Sequence, residues 1–362
     1  MEPVMDRNNL LKAISDALWH NTYTTIPADV LEEAKLQAVA GLLVGEDLYT
    51  ATRFVQYCYM EDELVELLSS HNIPMVIVKG ISAAIYYPIP SARTFGDIDF
   101  IVQPEFFATA TTLLEANGYK KDSKPEDEDR HIGYSKHGYH FELHHRFSYT
   151  DLDIERYIQD GIENRVQVRI DDHEFPMLPP LANGLVLLAH MREHLKSGLG
   201  LRQVIDWMMY VDKVIDDGFW YSIFKPVADE LGLTTLAITA TALCQNYLGL
   251  PARAWCQGAD EELVDQLLEA VMTSGNFGIK TGTGNNVETV TAAMKSRGVF
   301  CYLQLAGEHN WMLYHRHHFL KPFCWLYQIF RYIRQGIGRG LKLKDDIGRG
   351  SERADLLKKL GV

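Results

Sequence analysis

Hydrophobic residues in the first 70 positions recur at the spacing of α-helices. They are Leu10, Leu11, Ile14 and Leu18 in one stretch and Leu64, Leu67 and Leu68 in another. Residues three or four positions apart share one face of a helix, so this spacing predicts helices that bury that face. A break is predicted between Thr22 and Pro27.

Short apolar runs replace the helical spacing after His71. Residues 75–78 and 98–102 form two such runs, and a buried strand is predicted for each. Alternating polar and apolar positions predict four more strands, at residues 132–135, 140–144, 166–170 and 174–178. His137-Gly138, between the first two of these, is typical of a hairpin turn.

Helical spacing returns after Pro179 and continues through the rest of the chain. The clearest helices are predicted at residues 181–195, 201–214 and 231–248. The stretch from Leu231 to Ala252 has no charged residue, but its threonines and amides favour a buried helix over a membrane span. The predicted fold class is α+β, with a helical segment at 1–70, an α+β domain at 71–180 and an α-helical domain at 181–362.

Composition and charge narrow the class of protein. The 362 residues are 47% hydrophobic and 23% charged, which is typical of folded globular chains. The net charge of −13 disfavours non-specific nucleic-acid binding, although a metal ion can still screen the phosphates of a small nucleotide. Five widely spaced cysteines and an N-terminus without signal-peptide order predict a reduced, cytoplasmic protein.

Two aspartates carry the first chemical signal. Asp97 and Asp99 are two positions apart at the start of a predicted strand, so their side chains point to the same face, with Cα atoms about 7 Å apart. Two carboxylates on one face repel each other unless a cation lies between them. Mg²⁺ prefers such oxygen ligands. The alternative is a surface strand with two exposed aspartates, because Asp-x-Asp alone is a weak motif.

Neighbouring residues strengthen the metal interpretation. Lys79-Gly80 follows a buried strand and opens a predicted helix, where backbone N–H groups suit a phosphate. Lys79 and Arg93 would supply positive charge to phosphate oxygens. Glu142 would complete a three-carboxylate site if its strand lies beside that of Asp97, and it could also help to deprotonate an acceptor hydroxyl.

The order of these residues resembles the uncharacterised nucleotidyltransferase-like family of the DNA-polymerase-β-type nucleotidyltransferase superfamily. The resemblance covers roughly residues 60–210, with a weaker likeness at 275–278. It rests on Lys79-Gly80, Tyr86-x-Pro88, Arg93, Gly96-Asp97-Ile98-Asp99-Phe100-Ile101-Val102, Glu142-Leu143-His144-His145, Leu178-Pro179-Pro180, His190, His194 and Asp206.

The resemblance implies a mixed sheet flanked by helices, followed by a helical domain that closes over a nucleotide. It implies metal binding by Asp97 and Asp99, with Glu142 as the third carboxylate. We hypothesise that the chain transfers a nucleoside monophosphate from a nucleoside triphosphate to an acceptor hydroxyl, with two Mg²⁺ ions held by these three carboxylates. The predicted nucleotide contacts are Lys79, Gly80, Ser82, Arg93 and Asp206. The superfamily's Gly-Ser is Gly80-Ile81 here, with Ser82 one position later, so the metal ligands are better supported than the phosphate loop.

Other interpretations stay open. The fold could serve a catalytically silent nucleotide- or partner-binding module. Seven Lys or Arg residues, interleaved with aromatic ones, and no acidic residue lie between Arg316 and Lys344. This segment could lie on an anionic membrane, as in a peripheral membrane protein, or on nucleic acid, but packing against the rest of the chain or a protein contact is favoured. The sequence does not predict the acceptor or the base.

Three further features have two interpretations each. His190 and His194 share a helix face and could bind zinc, but without His-Glu-x-x-His a structural or nucleotide-facing role is favoured. Arg202 and Asp206 have the spacing of a helical salt bridge or could contact a nucleotide. The glycine-rich segment 275–286 is a surface loop or a ligand cover.

Overall fold

Seven strands form one mixed sheet, and this α+β architecture confirms the predicted fold class. The computed structural model describes residues 7–23, 25–45, 48–122, 131–147, 153–276, 279–280, 294–295, 298–311, 313–314, 317–336 and 343–362. The strands are β1 (Met75–Val78), β2 (Ile98–Val102), β3 (Lys120–Lys121), β4 (His131–Lys136), β5 (Tyr139–His144), β6 (Val166–Ile170) and β7 (His173–Met177). Each predicted strand is present to within one residue at either end, and β3 is additional.

The strand order is β3-β4-β5-β2-β1-β7-β6. The central strand β2 pairs antiparallel with β1 and parallel with β5, and β1 pairs parallel with β7. The remaining neighbours, including the β4–β5 hairpin, are antiparallel. His137 and Gly138 both have positive φ, as the predicted two-residue hairpin turn requires.

Helices precede, interrupt and follow the sheet. Those before and within it are α1 (Arg7–His20), α2 (Ala28–Leu36), α3 (Ala40–Val44), α4 (Leu48–Ser70), α5 (Gly80–Ala84), α6 (Phe107–Ala116) and α7 (Glu155–Glu163). Those after it are α8 (Pro180–Ser197), α9 (Leu201–Val214), α10 (Asp217–Phe219), α11 (Lys225–Glu230), α12 (Thr234–Leu248), α13 (Glu261–Ser274), α14 (Val299–Asn310), α15 (Cys324–Gly336) and α16 (Leu343–Lys359).

Apolar side chains form two cores, one on each face of the sheet. Ile98, Phe100 and Val102 pack with α4 and the outer strands, whereas Ile101 packs with the helical part of the chain. Helices α1 to α3 share the second core with α8, α9 and α12. The predicted boundaries at residues 70 and 180 remain predictions. Because Asp97 and Asp99 alternate with the first set, they face the helices.

The uncharged stretch near residue 240 forms α12, which is buried as predicted: Leu236, Ala240 and Leu243 have no exposed surface. Among the described helices, none is both long and apolar enough to cross a membrane.

Helices α8 and α9 approach each other at a glycine. A Cβ atom built on Gly184 would overlap the ring of Tyr210, which is fully buried. The absence of a side chain at Gly184 therefore sets the distance between these two helices.

We expect Gly184→Ala to lower the free energy of unfolding by about 1–3 kcal/mol, because the added methyl group overpacks the α8–α9 contact. Urea denaturation followed by tryptophan fluorescence measures the change. Gly218→Ala is the matched control, because Gly218 is exposed and lies in α10. Equal stability of the two variants would contradict this account of the contact.

Candidate active site

Strand register brings three carboxylates together at the centre of the sheet. Asp99 lies opposite Val78 of β1 on one side and opposite Glu142 of β5 on the other. Asp97 immediately precedes β2. One carboxylate oxygen from each of Asp97, Asp99 and Glu142 lies within 4.8 Å of the other two. The structure thus places the strand of Glu142 beside that of Asp97, which was the condition for a three-carboxylate site.

Two neighbouring side chains offset the repulsion between these carboxylates. Lys79 Nζ lies 2.5 Å from Asp99 Oδ1, and only 3% of the Asp99 side chain is exposed. His144 Nε2 lies 2.8 Å from the same oxygen and 3.3 Å from Glu142 Oε2. Lys79 and His144 therefore hold the carboxylates in one arrangement.

The electrostatic environment favours the charged forms of both Glu142 and Lys79. Burial raises the pKa of the Glu142 carboxyl, but the hydrogen bond from His144 and the charge of Lys79 lower it to about 2. Burial lowers the pKa of Lys79, but the charges of Asp99 and Glu142 outweigh this effect and raise the pKa above its usual value. Glu142 is consequently a good metal ligand and a weak base.

His131 belongs to the same cluster and was missed by the sequence analysis. It lies directly across from His144 in the β4–β5 hairpin, and its Nε2 atom is 3.6 Å from Glu142 Oε1. The signal was present in the sequence, because a two-residue turn at His137-Gly138 sets the register that pairs residue 131 with residue 144. The sequence analysis predicted the turn but did not extend its register to position 131.

Arg93 and Asp206 form a buried ion pair with each other. Arg93 Nε lies 2.7 Å from Asp206 Oδ1, and Arg93 Nη2 lies 2.7 Å from Oδ2. Tyr87 Oη donates a third hydrogen bond to Asp206, at 2.7 Å. Asp206 is 2% exposed, and its predicted contact with a nucleotide stays a prediction. Arg93 still lines the cavity beside the carboxylates.

Two of the three residues of the predicted phosphate loop line the cavity, and the third is buried. Lys79 and Gly80 line the cavity, but Ser82 is fully buried and does not. Ser82 Oγ instead donates a hydrogen bond of 2.8 Å to the carbonyl oxygen of Lys79. Its position one residue later than in the superfamily motif therefore makes Ser82 part of the turn that supports Lys79.

The carboxylates form one wall of a cavity of about 340 Å³ between the sheet and two helices. His190 and His194 of α8 and Arg202 of α9 line the same cavity. Small-molecule sites commonly have volumes of roughly 300–1,000 Å³. The predicted segment 275–286 lies outside the described residues except for 275–276 and 279–280.

His190 and His194 contact each other at the cavity wall. Their Nε2 atoms are 2.8 Å apart, so the N–H of one imidazole donates a hydrogen bond to the ring nitrogen of the other. Burial, together with the nearby charges of Lys79 and Arg202, lowers the pKa of His194 to about 3. Burial also lowers the pKa of His190. Both rings are therefore neutral at pH 7, and their position is compatible with the predicted nucleotide-facing role.

The model of a family described as uncharacterised nucleotidyltransferases matches residues 17–249, which include all eight predicted site residues. This chain belongs to that family. The match is wider than the resemblance recognised in the sequence and extends from α1 to just beyond α12.

Among solved structures, this member of the uncharacterised nucleotidyltransferase family is similar to an antigenic nucleotidyltransferase-like protein from Paracoccidioides brasiliensis. The similarity covers 56% of this chain and 96% of that chain, with 14% sequence identity and a TM-score of 0.35. No curated protein matches the chain. The geometry of the site is accordingly argued from this chain alone.

Replacing Asp206 by Asn should lower the free energy of unfolding by about 3–5 kcal/mol, because it leaves the buried Arg93 guanidinium without its charge partner. Glu32→Gln, which breaks the exposed pair between Glu32 and Lys35, should cost no more than about 1 kcal/mol. Urea denaturation of both variants measures the difference. A loss for Asp206→Asn as small as that for Glu32→Gln would refute a structural role for the pair.

Proposed function

We propose that this chain is a magnesium-dependent nucleotidyltransferase that moves a nucleoside monophosphate from a nucleoside triphosphate to an acceptor hydroxyl. The observation that carries the proposal is the convergence of Asp97, Asp99 and Glu142 at a cavity wall in a member of a nucleotidyltransferase family. A catalytically silent binding module is the alternative, and three intact carboxylates argue against it.

The donor set fits Mg²⁺. Three carboxylate oxygens within 4.8 Å of one another are the hard ligands that Mg²⁺ takes in phosphate-transferring sites. Asp97, Asp99 and Glu142 would hold the metal. When bound, the metal would polarise the α-phosphate and favour the deprotonated form of the acceptor hydroxyl.

The remaining residues of the site would bind and orient the triphosphate. Lys79 and Arg202 both line the cavity and would provide positive charge for the phosphates. His144, fully buried, keeps the carboxylates of Asp99 and Glu142 in their positions through Nε2. Because the pKa of Glu142 is about 2, we assign Glu142 to metal binding and not to removal of the acceptor proton.

Asp97→Asn and Asp99→Asn should each weaken Mg²⁺-dependent triphosphate binding by at least about tenfold, because loss of a direct ligand costs no less than loss of an outer-shell partner. Titration of a fluorescent triphosphate with and without Mg²⁺ measures the effect. Asp172→Asn, at a side chain that is 99% exposed, is the control. Unchanged affinity of both variants would sink the proposal.

We also propose, from a separate observation, that the C-terminal helices bind an anionic membrane surface. Four apolar side chains at helical spacing remain exposed in the segment that ends in α15; this aromatic stripe consists of Phe319, Phe323, Leu326 and Phe330. Arg331 and Arg334 lie at the end of the stripe, and no acidic residue occurs between residues 316 and 344. Arg316 and residues 337–342 lie outside the described residues. Exposed aromatic residues combined with basic ones are typical of helices that lie on anionic membranes.

The paired substitution Phe319→Ser and Phe330→Ser should abolish co-sedimentation with vesicles that contain phosphatidylserine, because it removes the most exposed rings of the stripe. Neutral phosphatidylcholine vesicles should not bind the wild-type chain. Tyr59→Ser, at another exposed aromatic residue, is the control. Equal binding to neutral and anionic vesicles, or undiminished binding by the paired variant, would contradict a membrane role. Self-association through the stripe, measured by light scattering, would contradict it as well.

A further inference from the structure

We propose that the ammonium group of Lys79 takes the place of one of the two metal ions, so that the site holds a single divalent ion. This inference rests on the proposed function, since it concerns the number of ions that the three carboxylates hold. It differs from the two Mg²⁺ ions expected from the sequence.

The position of Lys79 favours a single ion. Its Nζ atom lies 2.5 Å from Asp99 Oδ1, and 13% of its side chain is exposed. The ring of Phe147 lies on another side of Nζ, with its centroid 5.4 Å away. In two-metal sites the ions are roughly 3.5–4 Å apart and share carboxylate ligands. The ammonium group of Lys79 already contacts the carboxylate of Asp99, so it occupies the position that a second ion sharing this carboxylate would take.

One oxygen of the Asp99 carboxylate already has two partners. The Oδ1 atom contacts both Lys79 Nζ and His144 Nε2. A metal ion at the same oxygen would have to displace a buried, charged partner or a fully buried imidazole. The other oxygen of Asp99 has neither of these contacts, and the carboxylates of Asp99, Asp97 and Glu142 lie close enough together that they would hold one ion. The observed contacts thus leave room for one ion at this carboxylate.

The backbone also holds Lys79 in place. Lys79 has φ of 56° and ψ of −135°, which an L-residue rarely adopts. Such a conformation persists only where the surroundings enforce it. Here Ser82 Oγ donates to the Lys79 carbonyl, and Asn183 Nδ2 donates to the carbonyl of Ser82 at 3.3 Å. The turn after β1 is therefore fixed, and it directs Lys79 toward the carboxylates.

The balance of charge in the site also favours a single divalent ion. Three carboxylates are balanced by one ammonium group and one divalent ion. Before a nucleotide binds, a second divalent ion would add two positive charges that the three carboxylates do not offset, next to a lysine whose side chain is only 13% exposed. The competing possibility is that Lys79 breaks its contact with Asp99 when the triphosphate binds, which would free the position for a second ion.

Manganese binding to the full chain distinguishes these possibilities. With a non-hydrolysable triphosphate analogue present, we expect one Mn²⁺ per chain by equilibrium dialysis and no spectrum of a coupled Mn²⁺ pair by electron paramagnetic resonance. Lys79→Met should bind a second Mn²⁺ and show the coupled spectrum. Lys79→Arg should retain one ion, because it keeps the positive charge. Lys196→Met, at another lysine that lines the cavity, should also retain one.

Each result has a separate meaning. Two ions in the wild-type chain would overturn this inference and leave the proposed function intact. No ion in the wild-type chain would overturn the proposed function itself. One ion in both the wild type and a folded Lys79→Met variant, as judged by circular dichroism, would show that Lys79 does not determine the number of ions.

Discussion

The register of β2 between β1 and β5 is the constraint on which the rest of the site depends. It places Asp99 beside Glu142 and beside the strand that ends at Lys79. Side chains alternate along a strand, so a slip of one residue would turn Asp99 into the apolar core on the other face and bring Phe100 to the cavity. The burial of Ile98, Phe100 and Val102 against α4 therefore secures the register, and with it the chemistry.

Concentrating carboxylates at one point of a sheet is unfavourable unless positive charge is supplied with them. The chain meets this requirement in two layers. Lys79 and His144 contact the carboxylates directly, and behind them Arg93 joins the loop before β2 to Asp206 of α9. The second layer attaches the sheet to the helical part of the chain, so the two walls of the cavity are held together by a buried ion pair.

The segments of the chain have different relations to this site. The family match ends just after α12, and it includes the sheet, both cavity walls and most of the helices that share the larger core. Helices α14 and α15 lie beyond the match, and the aromatic stripe formed before and along α15 is exposed. The carboxylates and the cavity therefore lie in the matched part of the chain, and the stripe lies outside it.

The sequence by itself determined the local features: the strands, the shared face of Asp97 and Asp99, and the hairpin whose two-residue turn pairs His131 with His144. These depend on residues close together in the chain, where alternation and turn geometry leave few choices. The packing of distant elements places β5 next to β2, pairs Arg93 with Asp206, and brings His190 and His194 to the cavity that the carboxylates line. These contacts are visible only in the tertiary structure. Parallel pairing and ion pairs between distant segments arise from the packing of whole elements, so spacing along the chain did not reveal that Arg93 pairs with a buried aspartate.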